Sequence, residues 1–269
     1  MKIYFAVTGQ HEPIYLPKNN MNDMLMSFHY YKKKPELIKE LILQGNDIFI
    51  DSGAFSAESS GKPINIDDYC NFLKAAEANN YVCLDVIRNA EETEVNLKYM
   101  ESQGLKPFPV FHKTSHEKWL YKYLEEYDKI ALGGAVKAGE LEYWLDATWQ
   151  IILKEKPTMN VHGFGITSPE IMMRYPWTSC DSSSFKAGRR FGRLIHYLPH
   201  KKKFFTSNFN KWVQDYAEEQ NCPEIITNSK LRYEITDVFS AKSFMDFAND
   251  KKSLDINSYP HLTDQYKLF

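Results

Sequence analysis

The chain has 269 residues, with 33 Lys and Arg against 35 Asp and Glu, so its formal net charge is -2. It is 43% hydrophobic, 25% charged and 14% aromatic, with 12 Gly and 12 Pro. These values are ordinary for a globular protein, and they exclude collagen-like repeats, coiled coils and largely disordered chains. The near-zero net charge gives no global electrostatic case for nucleic-acid binding, so any such case has to be local.

The sequence predicts neither a membrane span nor a disulfide framework. No apolar run approaches the roughly 18 to 20 residues that cross a bilayer. The start, MKIYFAVTGQHEP, is expected to be a strand that enters a loop rather than a signal peptide. Four cysteines lie far apart without a CxxC pair, namely Cys70, Cys83, Cys180 and Cys222. This pattern favours a reducing cytoplasm and argues against a cysteine-rich zinc site, so we expect a cytoplasmic protein without a bound metal.

Short apolar runs alternate with amphipathic helical stretches along the chain. Seven runs have strand character: 2–8, 47–53, 81–87, 107–113, 129–134, 160–167 and 178–185. In the stretches between them, apolar residues recur at intervals of three and four, as in Tyr69, Phe72 and Leu73. The predicted helices are 35–45, 66–80, 91–104, 115–128 and 138–156. Such alternation is typical of a parallel sheet with helices packed against it.

A parallel sheet of this kind is either open and doubly wound or closed into a barrel. An open sheet that binds a dinucleotide carries GxGxxG after its first strand, whereas here that strand runs into TGQHEPIY (8–15). Eight units of about 34 residues would use the whole chain, and (β/α)8 barrels of about 250 residues are typical. We therefore predict an α/β fold, a somewhat irregular (β/α)8 TIM barrel that forms a single domain over residues 1–269. The polar stretch 200–269 does not define its own strands.

Polar residues follow the apolar runs at the points where the predicted strands end. In chain order they are Asp51, Asp85, His112, Gly133 with Gly134, His162 with Gly163, and Asp181. The carboxyl ends of the strands of a (β/α)8 barrel meet at one mouth, where the active sites of barrel enzymes lie. A capping Asp at a strand-to-helix turn would explain any one of these positions. Their coincidence on six separate units favours a shared site.

The residue types at these positions suit transfer of a glycosyl group. Two carboxylates that face one sugar carbon can serve as nucleophile and proton donor in a retaining reaction. A third carboxylate can accept N–H donors from a heterocycle, and glycines let the backbone approach a planar ligand closely. Phe55, just beyond Asp51, would supply a stacking face. The combination favours a nucleobase as ligand over a second sugar.

A basic and aromatic stretch, FKAGRRFGRLIHYLPHKKKFF (185–205), follows Asp181 without an acidic residue. Its Lys and Arg residues are Lys186, Arg189, Arg190, Arg193, Lys201, Lys202 and Lys203. A run of charge is either a solvated face or a track for phosphates. The position directly downstream of a candidate catalytic carboxylate favours the track.

Four segments resemble, in order, motifs of the tRNA-guanine transglycosylase superfamily. DSGAFSA (51–57) resembles the family's DSGGFQ segment, and LGGAVKAGE (132–140) resembles its GGLAVGE loop. HGFGITSPEIM (162–172) is similar to MGVGTPEDL, and SCDSSSFKAGR (179–189) is similar to the MFDCVxPTRxxR segment that carries the nucleophile. The resemblance covers about residues 45–195 and agrees with a TIM barrel.

The resemblance implies a role for each matching residue. Asp181 would attack C1′ of a target guanosine, and Asp51 would act as the general acid and base. Phe55 and His162 would sandwich the base. The remaining base-binding positions would be Asp85, His112 (where FHKTS replaces the family's VQGG), Gly133, Gly134, Ala135 and Gly163. Lys186 and Arg189 would contact the nucleic-acid backbone, together with Arg190 and Arg193 of the same basic stretch.

One departure from the family decides which nucleic acid we expect. The CxCxxC zinc motif near the carboxyl end is absent from the sequence, since Cys222 is the only cysteine after Asp181. A compact, zinc-free version resembles the phage-type branch that acts on DNA. The implied reaction replaces guanine in DNA by a free 7-deazaguanine such as preQ0 or preQ1, through a covalent Asp–C1′ intermediate and without a cofactor. If the protein is encoded by a phage, it acts in the host-cell cytoplasm.

Three other functions remain open from the sequence. A tRNA-guanine transglycosylase would use the same residues on tRNA. A glycosidase-like barrel would act on free nucleosides or sugars, without nucleic acid. A non-catalytic nucleic-acid-binding barrel would explain why SSF follows Asp181 where the family has PTR. The presence of both Asp51 and Asp181 in their motifs favours an enzyme.

Overall fold

The computed structural model describes residues 1–134, 141–251 and 259–263, and it contains one large parallel sheet. Its eight strands are β1 (Lys2–Val7), β2 (Asp23–Ser27), β3 (Asp47–Asp51), β4 (Asn80–Tyr81), β5 (Val110–His112), β6 (Lys129–Gly133), β7 (Asn160–Gly163) and β8 (Ser179–Ser182). They lie in the order β4-β3-β2-β1-β8-β7-β6-β5, with every neighbouring pair parallel.

The two ends of this strand order are joined, which closes the sheet. Val82, just after β4, forms a parallel bridge with Phe108, just before β5. The Cys83 amide donates to the Phe108 carbonyl at 2.9 Å, and the Phe108 amide donates to the Tyr81 carbonyl at 2.8 Å. The predicted (β/α)8 TIM-barrel fold is therefore confirmed, with irregularity concentrated where the short β4 meets β5.

Helices surround the barrel and connect its strands. They are α1 (Glu12–Lys18), α2 (Phe28–Tyr31), α3 (Pro35–Leu43), α4 (Ala54–Ser60), α5 (Ile66–Ala75), α6 (Ala90–Ser102), α7 (Glu117–Glu126), α8 (Leu141–Glu155) and α9 (Pro169–Arg174). The five predicted helices correspond to α3, α5, α6, α7 and α8. In α5 the residues at helical spacing, Tyr69, Phe72 and Leu73, are buried against the sheet. At the start of α7 the His116 ring caps the helix by accepting from the Lys118 amide.

The barrel is shorter than the sequence predicted. The first three strands begin at residues 2, 23 and 47, and the eighth ends at Ser182. The prediction that eight units would use the whole chain is therefore wrong. The missed strand is β2, DMLMS, whose Met24, Leu25 and Met26 are buried between β1 and β3. It contains no β-branched residue, so local propensity does not distinguish it from a helix.

The chain after β8 forms a layer of hairpin and helices against the barrel. A 3-10 turn (Ser184–Lys186) leads to α10 (Ala187–Phe191), the antiparallel hairpin β9 (Arg193–Leu198) and β10 (Lys203–Asn208), α11 (Phe209–Glu219), α12 (Glu224–Thr227), α13 (Ser229–Lys251) and α14 (Pro260–Thr263). The long helix α13 packs on β1 and β9. Its Ala241, Phe244 and Phe247 join the hydrophobic core that contains the barrel strands.

The four cysteines are free thiols, three of them buried. Within residues 1–134, 141–251 and 259–263, no helix has the length and apolar character needed to cross a bilayer.

Candidate active site at the barrel mouth

Three carboxylates lie at the same end of the barrel. Asp51 is the last residue of β3, Asp85 lies in the connection from β4 to α6, and Asp181 is in β8. The Asp85 and Asp181 side chains are only 11% and 10% exposed. Burial raises the pKa of Asp51 to about 7, and the charges of Asp85 and Asp181 add to the rise. The Ser27 hydroxyl and the Gly53 amide lie beside the Asp51 carboxylate and oppose the rise. The mouth therefore holds a carboxyl group that exchanges its proton near neutral pH.

The raised pKa of Asp51 predicts a stability gain on its neutralisation. The pKa is about 3.8 in the unfolded chain and about 7 in the fold, so stability falls as the pH rises between these values. Asp51→Asn is expected to raise the free energy of unfolding by about 2 kcal/mol at pH 8, and the gain should vanish near pH 4. Urea denaturation at both pH values measures the difference. The exposed Asp128→Asn is the control, and an Asp51→Asn variant without a gain at pH 8 would show that the folded protein ionises Asp51 without cost.

One of the two oxygens of Asp181 accepts a backbone hydrogen bond and lies near a histidine ring. The Gly165 amide donates to Oδ1 at 2.8 Å, and Nε2 of His162 lies 3.5 Å from the same oxygen. Within the part of the chain that the structure describes, no hydrogen bond involves Oδ2 of Asp181. The carboxylate is therefore oriented through Oδ1, with Oδ2 left for another partner.

Asp85 forms a hydrogen-bonded pair with His112 and is supported by a serine. Nε2 of His112 lies 2.9 Å from Oδ2 of Asp85, and the Ser52 hydroxyl donates to Oδ1 at 2.7 Å. Gly133, at the end of β6, lies beside the imidazole, since a Cβ there would be 3.6 Å from Nε2 of His112. Both Asp85 oxygens already have a partner, so the group that faces a ligand is the Asp85–His112 pair. Sequence reasoning did not identify Ser52, although it stands next to Asp51 in the DSG segment.

The predicted stacking residues occupy different environments. Phe55, in α4, is 60% exposed and is available to a planar ligand. His162 is fully buried, and its ring stacks on Phe49 with centroids 4.3 Å apart. The His162 ring therefore lies in the barrel core beneath Asp181, not at the open mouth where a base would be sandwiched.

The glycines predicted to face a base also lie in different environments. A Cβ on Gly163 would lie 2.7 Å from Ile166 and 2.9 Å from Trp177, so packing inside the fold requires glycine there. Gly134 has φ +91°, the left-handed region that glycine favours, and it follows β6 at the mouth. Ala135 lies outside the described residues.

The basic stretch 185–205 is not one continuous exposed track. The Lys186 side chain is 5% exposed, with Nζ 3.6 Å from Oε1 of Glu12. Nη2 of Arg189 donates to the same oxygen at 2.8 Å and lies 3.2 Å from Oδ2 of Asp237. Buried carboxylates from α1 and α13 thus pair with Lys186 and Arg189, and a contact of these two residues with phosphate stays a prediction. The exposed basic residues of the stretch are Arg190, Arg193, Lys201, Lys202 and Lys203.

No group of three or more His, Cys, Asp or Glu side chains is arranged to hold a metal ion within the described ranges.

Comparison with protein-family models and with curated proteins finds no match. Among solved structures, the chain is similar to one titled as a 4-hydroxy-2-oxoglutarate aldolase/2-deydro-3-deoxyphosphogluconate aldolase from TTHB1. The TM-score is 0.46 and the identity 11%, over 68% of this chain and 84% of that chain. A likeness at this level does not identify a reaction.

Proposed function

We propose that the chain is a base-exchange transglycosylase that replaces guanine in nucleic acid by a free 7-deazaguanine such as preQ0 or preQ1. DNA is favoured over tRNA as the nucleic acid. The proposal is carried by one observation, the meeting of Asp51 and Asp181 at the barrel mouth with the pKa of Asp51 raised to about 7. A nucleophilic carboxylate beside a carboxyl group that gives and takes a proton near neutral pH suits a retaining exchange.

In the proposed reaction Oδ2 of Asp181 attacks C1′ of the target nucleotide, and the bond from C1′ to guanine breaks. Asp51 gives its proton to the departing base, and an Asp181–C1′ ester remains. The incoming base then loses a proton to Asp51 and attacks C1′, and the ester bond breaks to restore the Asp181 carboxylate. Each bond broken at C1′ is replaced by one formed, so the exchange consumes neither a redox cofactor nor a nucleoside triphosphate.

Base recognition would use the groups around these two carboxylates. Phe55 offers an exposed aromatic face, and the Asp85–His112 pair offers hydrogen-bonding groups at the mouth. The backbone of Gly133 and Gly134 ends β6 beside the pair. A base inside a duplex cannot reach such a pocket, so the target nucleotide would be extruded from the stack.

The preference for DNA follows the resemblance to the phage-type branch of the transglycosylase superfamily, and exposed basic residues support binding to nucleic acid. Arg190 is exposed in α10 and Arg193 at the start of β9, and Lys201, Lys202 and Lys203 are exposed around the turn of the β9–β10 hairpin. Together with the four free thiols, these features support action on nucleic acid in a reducing cytoplasm.

Arg190 and Arg193 give a prediction about binding. Arg190→Gln and Arg193→Gln are each expected to weaken DNA binding uniformly across sequences and to lower the slope of log Kd against log salt by about 1. Fluorescence anisotropy over a salt series measures that slope. Lys154→Gln, on the outer helix α8, is the matched control because its side chain is exposed and far along the chain from the hairpin. Unchanged slopes in both arginine variants would show that Arg190 and Arg193 are not part of the DNA-binding surface.

The decisive experiment is an exchange assay with labelled base. The protein is incubated with duplex DNA, tRNA or free deoxyguanosine, each with isotope-labelled guanine, preQ0 or preQ1, and the nucleosides are analysed by mass spectrometry. Label in DNA supports the proposal, and label in tRNA alone changes the substrate to tRNA. No incorporation into any of the three by the folded protein rejects a transglycosylase. Asp128→Asn is the control variant, because Asp128 precedes β6 at the opposite end of the barrel and its side chain is 95% exposed.

A second candidate is a glycosidase-like enzyme that acts on free nucleosides. It is favoured by the neutralisation of Lys186 and Arg189 by Glu12 and Asp237, which removes two cations from the expected phosphate track. It predicts label in free deoxyguanosine, or release of its base, with no activity on polymers. The same assay therefore separates the two candidates.

A further inference from the structure

His162 stands out among the buried polar residues because one of its ring nitrogens lacks a hydrogen bond. The residue is fully buried, with its ring stacked on Phe49 and edge-on to Phe164. Nδ1 lies 2.9 Å from the Ser179 hydroxyl. Nε2 makes no hydrogen bond within the described structure, yet it lies 3.5 Å from Oδ1 of Asp181. A buried polar atom without a partner lowers the stability of the fold.

The two neighbours of the ring determine which nitrogen carries the proton. A neutral imidazole has one N–H donor and one acceptor nitrogen, whereas an ionised carboxylate only accepts. If Nε2 carries the hydrogen, it faces the Asp181 carboxylate as a donor, and Nδ1 accepts from the Ser179 hydroxyl. If Nδ1 carries it, a lone pair of Nε2 faces a negative oxygen. The Nε2–H tautomer is therefore the one that satisfies both contacts.

The separation of 3.5 Å is long for a hydrogen bond, and it has a direct interpretation at a catalytic carboxylate. Catalytic hydrogen bonds are often long in the free enzyme and shorten in the substrate complex. Oδ1 of Asp181 already accepts from the Gly165 amide at 2.8 Å. A second donor on Oδ1 leaves Oδ2 as the attacking atom and places both donors where charge returns when the ester breaks.

We propose that His162 is a positioning residue whose Nε2–H donates to Oδ1 of Asp181 and makes that carboxylate a better leaving group. This inference rests on the proposed base exchange. When the C1′–Oδ2 bond breaks, its electron pair returns to the carboxylate and is shared with Oδ1. A donor on Oδ1 stabilises that charge more than it stabilises the uncharged ester, so it disfavours accumulation of the covalent intermediate.

A purely structural His162 would need only its contacts with Ser179 and Phe49. It would explain the burial and the stacking, but not why the free ring nitrogen faces Asp181. The two roles differ in the tautomer and in the effect of substitution on the intermediate, and both can be measured.

The first test does not depend on activity. Nitrogen-15 NMR of histidine-labelled protein at pH 8 should show His162 as the Nε2–H tautomer, with Nδ1 unprotonated. Ser179→Ala should weaken that preference because the donor to Nδ1 is lost. An Nδ1–H tautomer in the wild-type protein overturns the inference, whatever the protein does to nucleic acid.

The second test compares His162→Gln with His162→Met. Gln carries an amide N–H of similar reach, whereas Met has similar bulk and no donor. The Met variant should lose about 10²-fold in kcat without a rise in KM, and the fraction of covalent enzyme–DNA adduct trapped at steady state should increase. The Gln variant should recover most of the kcat and the wild-type adduct fraction.

The outcomes separate this inference from the proposed function. Suppose that the wild-type protein exchanges bases, but that the kcat of the Met and Gln variants falls equally and no adduct accumulates. In that case His162 is structural and the inference is wrong. If the wild-type protein forms no adduct and exchanges no base, the proposed function fails, and the leaving-group role of His162 fails with it.

Discussion

Asp181→Asn is expected to abolish base exchange, with a fall in kcat of about 10⁴-fold or more. The amide has nearly the shape of the carboxylate but no anionic oxygen to attack C1′, so no covalent adduct should form. Its carbonyl oxygen can still accept from the Gly165 amide, which keeps the loop in place. Denaturing electrophoresis of enzyme with labelled DNA detects the adduct, and mass spectrometry of nucleosides measures the exchange.

Two controls show whether a loss of activity in Asp181→Asn is caused by unfolding. Asp128→Asn makes the same chemical change at an exposed position and should retain full exchange. The melting temperature of Asp181→Asn should stay within a few degrees of the wild-type value, because the buried side chain keeps its volume and its hydrogen bond. An adduct that persists in Asp181→Asn would assign the nucleophile to another group at the mouth.

The positions of the three mouth carboxylates were predictable because every strand of the parallel barrel runs in the same direction. Parallel strands end at one edge, so a polar residue after each apolar run is brought to the same mouth. Asp51, Asp85 and Asp181 were found in that way, and the structure places them together. Ser27, which lies beside Asp51, was missed because β2 was missed. The signal available for Ser27 was the short buried run DMLMS, which ends at that residue.

Side-chain direction and long-range partners were not predictable from the same pattern. Successive residues of a strand point to opposite faces, so a shift of one residue decides whether a side chain faces the core or the neighbouring helices. The sequence placed His162 near the end of β7, but not beneath Asp181 and against Phe49. No residue near Lys186 in sequence indicates that Glu12 lies beside it, because only the folding of the whole chain brings the two side chains together.

Because long-range partners are not visible in local sequence, the ion pairs of the basic stretch were not predictable. A run of cations without nearby acidic residues in sequence predicts an exposed track. The acidic partners come from α1 and α13, on either side of the stretch in sequence and beside it in space. Arg190 and Arg193 are exposed, and Arg190 donates to the Ser183 hydroxyl at 3.1 Å.

The buried ion cluster of Glu12, Lys186, Arg189 and Asp237 gives the largest expected effect on stability. Burial lowers the pKa of Lys186 and raises that of Asp237 to about 6, which shows the cost of placing these charges in the interior. Lys186→Met is expected to lower the free energy of unfolding by about 3–5 kcal/mol, because Glu12 loses one of its two cationic partners in the interior. Glu12→Gln should cost a similar amount, because it leaves Lys186 and Arg189 short of an anion.

A double-mutant cycle distinguishes an internal ion cluster from a phosphate-binding lysine. If Lys186 and Glu12 are internal partners, the double variant should lose less stability than the sum of the two single variants, by about 1–3 kcal/mol in urea denaturation. The salt dependence of DNA binding should be the same in Lys186→Met as in the wild type, since Nζ of Lys186 is shielded from solvent. Lys203→Met, at an exposed position of β10, is the matched control and should cost little stability. If Lys186→Met leaves the stability unchanged and makes the salt slope shallower, Lys186 belongs to the nucleic-acid-binding surface. A lysine that binds phosphate contributes to binding and not to the stability of the fold.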